Sequence, residues 1–123
     1  MNGNNFLLDT NTILYLLNGN KCVTPYLKGH FYYSIITEME LLSFSELTDT
    51  DENNIKLLLS ICENINITVE IKNLTILLRK KYKIKLPDAI IAATAISNNL
   101  VLITADKGFS KIEELDLILL TPS

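Results

Sequence analysis

The sequence predicts an α/β fold with a mainly parallel sheet, and three observations carry that prediction. Strand-like and helix-like stretches alternate along all 123 residues. Two of the strand-like stretches, Phe6-Leu7-Leu8 and Leu100-Val101-Leu102-Ile103-Thr104, are unbroken apolar runs, which suit strands buried on both faces. The first of them, and the aromatic stretch around Tyr32, also pass directly into a helix signal, with no room for a hairpin turn. The length predicts a single domain over residues 1–123, large enough to bury a core without disulfides or a structural metal.

Taken in order, Phe6–Leu8 is the first strand and ends in Asp9, after which Ile13, Leu14 and Leu17 recur at helical spacing. Thr10, Asn11 or Thr12 can each cap that helix, and Asn18-Gly19-Asn20-Lys21 stops it. Cys22 to His30, with Pro25 and Gly29, reads as a loop or short helix. Phe31 to Ile36 is the second strand by its aromatic and β-branched content. Thr37 with Glu40 has the form of a capping box opening a helix that runs to about Leu47 and is apolar on more than one face. Thr48-Asp49-Thr50-Asp51 breaks it and caps a helix from Glu52 to Asn64, with Ile55, Leu58, Leu59 and Cys62 on one stripe. Ile65 to Ile71 alternates with period two, as an edge strand does. Lys72 to Tyr82 is helical with Leu74, Leu77, Leu78 and Tyr82 inward. Lys85-Leu86-Pro87-Asp88 then starts a buried, alanine-rich helix that ends at Ser97-Asn98-Asn99. After the strand Leu100–Thr104, a short polar helix through Glu113 and Glu114 leads to a last strand, Leu117–Leu120.

Bulk composition excludes several functions. No apolar run approaches the ~20 residues of a membrane span, and Met1-Asn2-Gly3-Asn4-Asn5 lacks the basic start of a secretory signal, so a cytoplasmic protein is expected. Cys22 and Cys62 stand apart from any metal-ligand spacing and are expected as free thiols. His30 is the only histidine and has no nucleophile motif beside it, which leaves Ser-His, Cys-His and zinc chemistry unsupported. The net charge is −3, yet Arg79, Lys80, Lys81, Lys83 and Lys85 gather five of the eleven basic residues. That cluster can hold a nucleic-acid backbone or can simply complement a helix end.

Four acids occupy corresponding places: Asp9 after the first strand, Glu40 in the helix after the second, Asp88 at a helix start, and Asp106 after a later strand. Strand carboxyl ends share one edge of a parallel sheet, where open α/β folds place their ligands. Each acid alone has an ordinary reading as a helix cap, a dipole partner or a turn former. Gathered together, the four carboxylates repel unless a hard, oxygen-preferring cation such as Mg2+ or Mn2+ neutralises them. Glu38 and Glu46 read as solvated helix positions.

These stretches resemble the PIN-domain family of metal-dependent nucleases, and most closely its small bacterial members, the VapC-type toxins. The likeness rests on Leu8-Asp9-Thr10-Asn11, on Ser34-Ile35-Ile36-Thr37 leading to Glu40-Leu41-Leu42, on Pro87-Asp88-Ala89-Ile90-Ile91-Ala92-Ala93-Thr94-Ala95, and on Leu102-Ile103-Thr104-Ala105-Asp106 with Phe109. It implies a three-layer α/β/α sandwich around a mainly parallel sheet of about five strands in the order 3-2-1-4-5. It also implies Asp9, Glu40, Asp88 and Asp106 as catalytic metal ligands, with Asn11 and Thr104 supporting them, and hydrolysis of RNA phosphodiesters with Mg2+ or Mn2+. Partners implied are an RNA substrate, a small antitoxin protein and a second copy in a homodimer. The apolar surplus between Met39 and Cys62 is either a groove for the antitoxin segment or ordinary core.

Three other readings compete. A phosphatase of haloacid-dehalogenase type with Asp9 as nucleophile expects an acid and a threonine where Asn11 and Ile13 stand. A receiver-like signalling domain expects tandem acids after its first strand, and these are absent. A catalytically silent PIN-like module that only binds partners is opposed by four intact acids.

Overall fold

A computed structural model describes residues 4–122; Met1–Gly3 and Ser123, with most of the polar start considered above, lie outside the described residues. Five strands, β1 (Asn5–Leu8), β2 (His30–Ser34), β3 (Glu63–Ile65), β4 (Val101–Thr104) and β5 (Leu117–Leu119), pair in parallel in the order β3-β2-β1-β4-β5. Between them run α1 (Thr10–Leu17), α2 (Ile35–Leu42), α3 (Asp49–Ser60), α4 (Val69–Lys81) and α5 (Leu86–Ser97), with 3-10 turns at Lys21–Tyr26 and Lys107–Lys111.

β1 sits at the centre, with Leu7 in register between Tyr32 and Leu102. Its alternating side chains divide the core, because successive residues of a strand point to opposite faces. Leu7 and Leu102 pack under α4 and α5 through Ile71, Leu78, Ile91 and the alanines of α5. Phe6, Leu8 and Ile103 pack under α1, α2 and α3 through Ile13, Leu41, Ile55 and Leu59. The result is the α/β/α sandwich and strand order that the resemblance implies. Ala89 to Ala95 are all buried, as an alanine-rich helix lying close to a sheet requires, and Asn99 ends α5 at φ 54°.

Several boundaries differ from the sequence reading, each through a competing cap. The second strand stops at Ser34, whose Oγ accepts from Ile36 N at 3.2 Å, so Ile35 and Ile36 open α2 and no Thr37–Glu40 capping box forms. Thr37 is instead fully buried, and its hydroxyl has no hydrogen-bond partner among the described residues. Glu40 consequently stands in the second turn of α2, not the first, and α2 ends at Leu42. Thr48 forms the capping box with Asp51, which starts α3 at Asp49, and α3 closes at Ser60 so that Glu63–Ile65 can pair with β2. The period-two run Ile65–Ile71 is split: Thr68 Oγ1 accepts from Ile71 N at 3.1 Å and begins α4 at Val69. Leu77 is exposed, not inward, whereas Ile71 and Leu78 are buried. No helix forms through Glu113 and Glu114; the 3-10 turn comes earlier, at Lys107–Lys111.

Cys22 and Cys62 are free and half-buried, and burial pushes the Cys62 thiol up to about 11. Among the described residues, no helix is long and apolar enough to cross a membrane.

Candidate active site

The parallel sheet brings its strand carboxyl ends to one edge, and the central pair β1–β4 delivers Asp9 and Asp106 there side by side. Asp9 is the N-cap of α1. Its Oδ1 accepts from Thr12 N at 2.9 Å, and its backbone carbonyl accepts from Ile13 N at 3.1 Å. Its Oδ2 accepts a hydrogen bond from the Thr104 hydroxyl. Asp9 is only 7% exposed and Thr104 is fully buried, so this pair is a built feature of the interior, not a surface contact. Thr104 Oγ1 also accepts from Asp106 N at 3.0 Å, so one hydroxyl ties the Asp9 carboxylate to the backbone of the next acid. Asp106 in turn caps the 3-10 turn through Gly108 N at 2.8 Å.

Glu40 reaches the same edge from α2, where Thr10 Oγ1 donates to its Oε1 at 2.7 Å. Asp88 lies in the first turn of α5, a helix with no side-chain cap at its start. Burial raises the Asp88 carboxyl above its usual range, and the charges of Asp106, Glu40 and Asp9 raise it further, while Lys85 opposes them. All three other acids therefore act electrostatically on Asp88, which is the signature of one shared acidic cluster. Among the described residues, no three His, Cys, Asp or Glu side chains already stand as a metal cage. The donor set nevertheless fits a hard divalent cation: oxygen ligands only, excess negative charge, and one carboxylate already oriented by two donors.

The remaining expected site residues are less directly placed. Asn11 is exposed and makes no hydrogen bond to Asp9 among the described residues; the donors to Asp9 are Thr12 and Thr104. Of the basic cluster, Lys81 Nζ is paired with Glu114 Oε2 at 2.9 Å, and Arg79 Nε donates to the Ile84 carbonyl at 3.3 Å. Lys80, Lys83 and Lys85 are exposed. Thr10 and Thr12 were legible only as caps; their contacts to Glu40 and to the Ile103 carbonyl (2.8 Å) had no local signal.

The family model described as PIN domain matches residues 6–115. The chain belongs to the PIN domain family. No curated protein matches its sequence significantly. Among solved structures, this PIN domain is similar to a chain of a toxin-antitoxin complex from Klebsiella pneumoniae, with 34% identity and a TM-score of 0.78 over 91% of this chain and 94% of that one. It is also similar to VapBC-1 from nontypeable Haemophilus influenzae, at 28% identity and TM-score 0.79 over 94% and 97%. The same fold occurs in VapBC2 from Rickettsia felis, solved with a DNA fragment from its promoter, at 24% identity and TM-score 0.84 over 95% and 99%. The chain thus has the fold and sequence character of a VapC-type PIN toxin.

Proposed function

We propose that this PIN domain is a metal-dependent ribonuclease that hydrolyses RNA phosphodiester bonds, and that it acts as the toxin of a toxin–antitoxin pair. The observation that carries the reading is the electrostatic convergence of Asp106, Glu40 and Asp9 on Asp88, at the strand-end edge of a parallel sheet. Asp9, Glu40, Asp88 and Asp106 would hold Mg2+ or Mn2+. Such an ion, when bound, lowers the pKa of coordinated water and stabilises charge on the scissile phosphate.

The chain's own residues prepare that chemistry. Thr12 N–H and the Thr104 hydroxyl fix both oxygens of Asp9, so its remaining lone pairs point in set directions. Thr10 fixes Oε1 of Glu40, leaving Oε2 to orient the attacking water or to share in ion binding. Asp88, whose carboxyl is raised by burial and by the neighbouring acids in the ion-free site, is a group whose charge a bound cation would compensate. Asn11, exposed beside this cluster, would meet substrate or solvent instead of Asp9.

The antitoxin reading is supported by a groove of about 550 Å³ lined by Leu14, Leu17, Phe44, Leu47, Ile55 and Leu58. Phe44, Leu57 and Ile61 at or beside it are exposed at 49%, 69% and 77%, apolar surface of the kind an amphipathic partner helix covers. The Klebsiella relative is itself a toxin–antitoxin complex. The implied homodimer has a separate exposed apolar set available in Ile76, Leu77 and Leu86.

The test is incubation of purified protein with RNA, with and without Mg2+ or Mn2+, beside an Asp9→Asn variant. Metal-dependent cleavage that the variant lacks is expected. Covalent phosphate on Asp9 would establish the phosphatase reading instead, and silence of antitoxin-free protein would leave a partner-binding module.

A further inference from the structure

Beside Asp88 lies a narrow cleft of about 180 Å³, walled by Lys83, Lys85, Gly108, Phe109 and Lys111. Its lysines come from two segments: Lys83 and Lys85 from the link between α4 and α5, and Lys111 from the end of the 3-10 turn that follows Asp106. Lys111 carries no signal in the sequence, because it stands apart from the basic run. In the fold its Nζ donates to the Lys83 carbonyl at 2.6 Å, which draws the two walls together. An ammonium has three N–H donors, so two remain free to face the cleft.

The walls are held by a second set of bonds. Tyr82 Oη donates to Glu114 Oε1 at 2.6 Å and accepts from Glu113 N at 3.2 Å, while Lys81 Nζ pairs with Glu114 Oε2 at 2.9 Å. Lys81 is thereby spent on the scaffold, and Arg79 is turned toward the Ile84 carbonyl. The basic run thus does not act as one patch. The fold gathers Lys83 and Lys85 from it, with Lys111, around one cleft at the margin of the acidic cluster to which Asp88 belongs. Three ammonium groups around one cleft can take an anion there, while the carboxylates beside them would hold a cation. The cleft's volume of about 180 Å³ is enough for one phosphodiester group.

We propose that this cleft holds one backbone phosphate of the RNA strand, next to the bond attacked at the acidic site, with Lys83, Lys85 and Lys111 as the contacting residues. The adjacency to a cleaved bond rests on the nuclease reading above; the anion site rests on the three lysines. It divides labour between neighbouring groups: carboxylates for the reacting phosphate, lysines for its neighbour, so that the strand is drawn in despite the acid cluster.

The experiment is fluorescence anisotropy of a short labelled single-stranded RNA over a salt series, in chelator so that no cleavage occurs. Each lost contact to single-stranded nucleic acid lowers the slope of log K against log salt by about 0.7. Lys85→Gln and Lys111→Gln are each expected to weaken binding several-fold and to lower the slope by that amount. Lys72→Gln, at the opposite end of α4, controls for loss of charge alone and keeps the wild-type slope. Lys111→Gln also breaks the bond to Lys83, so Lys85→Gln, which touches no scaffold bond, keeps the test decisive if the former misfolds. Wild-type slopes in Lys85→Gln, or no RNA binding by the wild-type chain, overturn the proposal. RNA cleavage with unchanged slopes sinks the cleft and leaves the nuclease; lowered slopes without cleavage in metal do the reverse.

Discussion

Thr104→Val tests whether the acidic site is a designed part of the interior. The substitution keeps the shape of a fully buried residue and removes one hydroxyl, which donates to Asp9 Oδ2 and accepts from Asp106 N. Asp106 is exposed, so water can satisfy its neighbourhood; Asp9 is 7% exposed, so its carboxylate loses a donor that water cannot easily replace. A hydrogen bond to a charged group contributes about 1.5–3 kcal/mol, and the new buried methyl returns up to ~0.8 kcal/mol. The expected net loss is about 2 kcal/mol. With ~2.1 cal/mol/K of unfolding entropy per residue, the 123-residue chain should melt about 8 °C lower. Urea denaturation in chelator gives the free energy without a contribution from bound ions. Thr104→Ser, which retains the hydroxyl, should recover most of the loss, and metal-dependent cleavage by Thr104→Val should fall roughly 10–100-fold, as for other residues that orient metal ligands. A Val variant within about 0.5 kcal/mol of wild type, or a Ser variant as unstable as the Val one, would refute this account of Asp9.

Four further outcomes follow from particular contacts. Asp88→Asn should stabilise the chelated protein at neutral pH while abolishing cleavage: a carboxyl whose folded pKa is raised loses stability as pH rises through that value, and Asn removes the loss. A urea midpoint that drops instead would show that Asp88 is structurally paired. Glu114 runs the other way. Tyr82 and Lys81 hold its pKa near 2 against an ordinary 4.5, so its contribution is complete above pH 4.5 and fades toward pH 2; Glu114→Gln should flatten acid unfolding in that window. Gly29→Ala would drive a methyl into the Phe6 ring and against the Asn4 backbone carbonyl, and a loss of about 1–3 kcal/mol in the same denaturation assay is expected. If the toxin–antitoxin proposal holds, Leu57→Asp, at a 69% exposed position on the groove, should leave the melting temperature unchanged and abolish co-purification with a co-expressed antitoxin; retained co-purification would remove the groove from the interface.

The architecture was legible because the signals that set it are local. A short apolar run ending in Asp9, with a helix pattern directly behind it, encodes both a buried strand and its direction, and the alanine-rich Ala89–Ala95 stretch encodes a helix flush against a sheet. Direction then places the acids on one edge without any knowledge of contacts. Boundaries were less legible where two hydroxyl residues compete to cap the same helix. Ser34 prevails over Thr37, and Thr68 ends a β-like alternation that Ile67 and Val69, both solvent-exposed, do nothing to hold in a sheet.

The resemblance named Thr104 as a support for the acids, but nothing local announced Thr10–Glu40, Thr12–Ile103 or Lys111–Lys83, which span 30, 91 and 28 positions. Asn11 illustrates the physical reason. Once Asp9 becomes the N-cap of α1, its carboxylate reaches the amide of the third helical residue, Thr12, and the second residue, Asn11, is carried round to the solvent side. The helix thereby points Thr12 toward β4, where its hydroxyl meets the Ile103 carbonyl, and leaves Thr104, the next residue of that strand, free to engage Asp9. A single capping choice at the end of the first strand therefore decides which side chains face the acids and which face solvent.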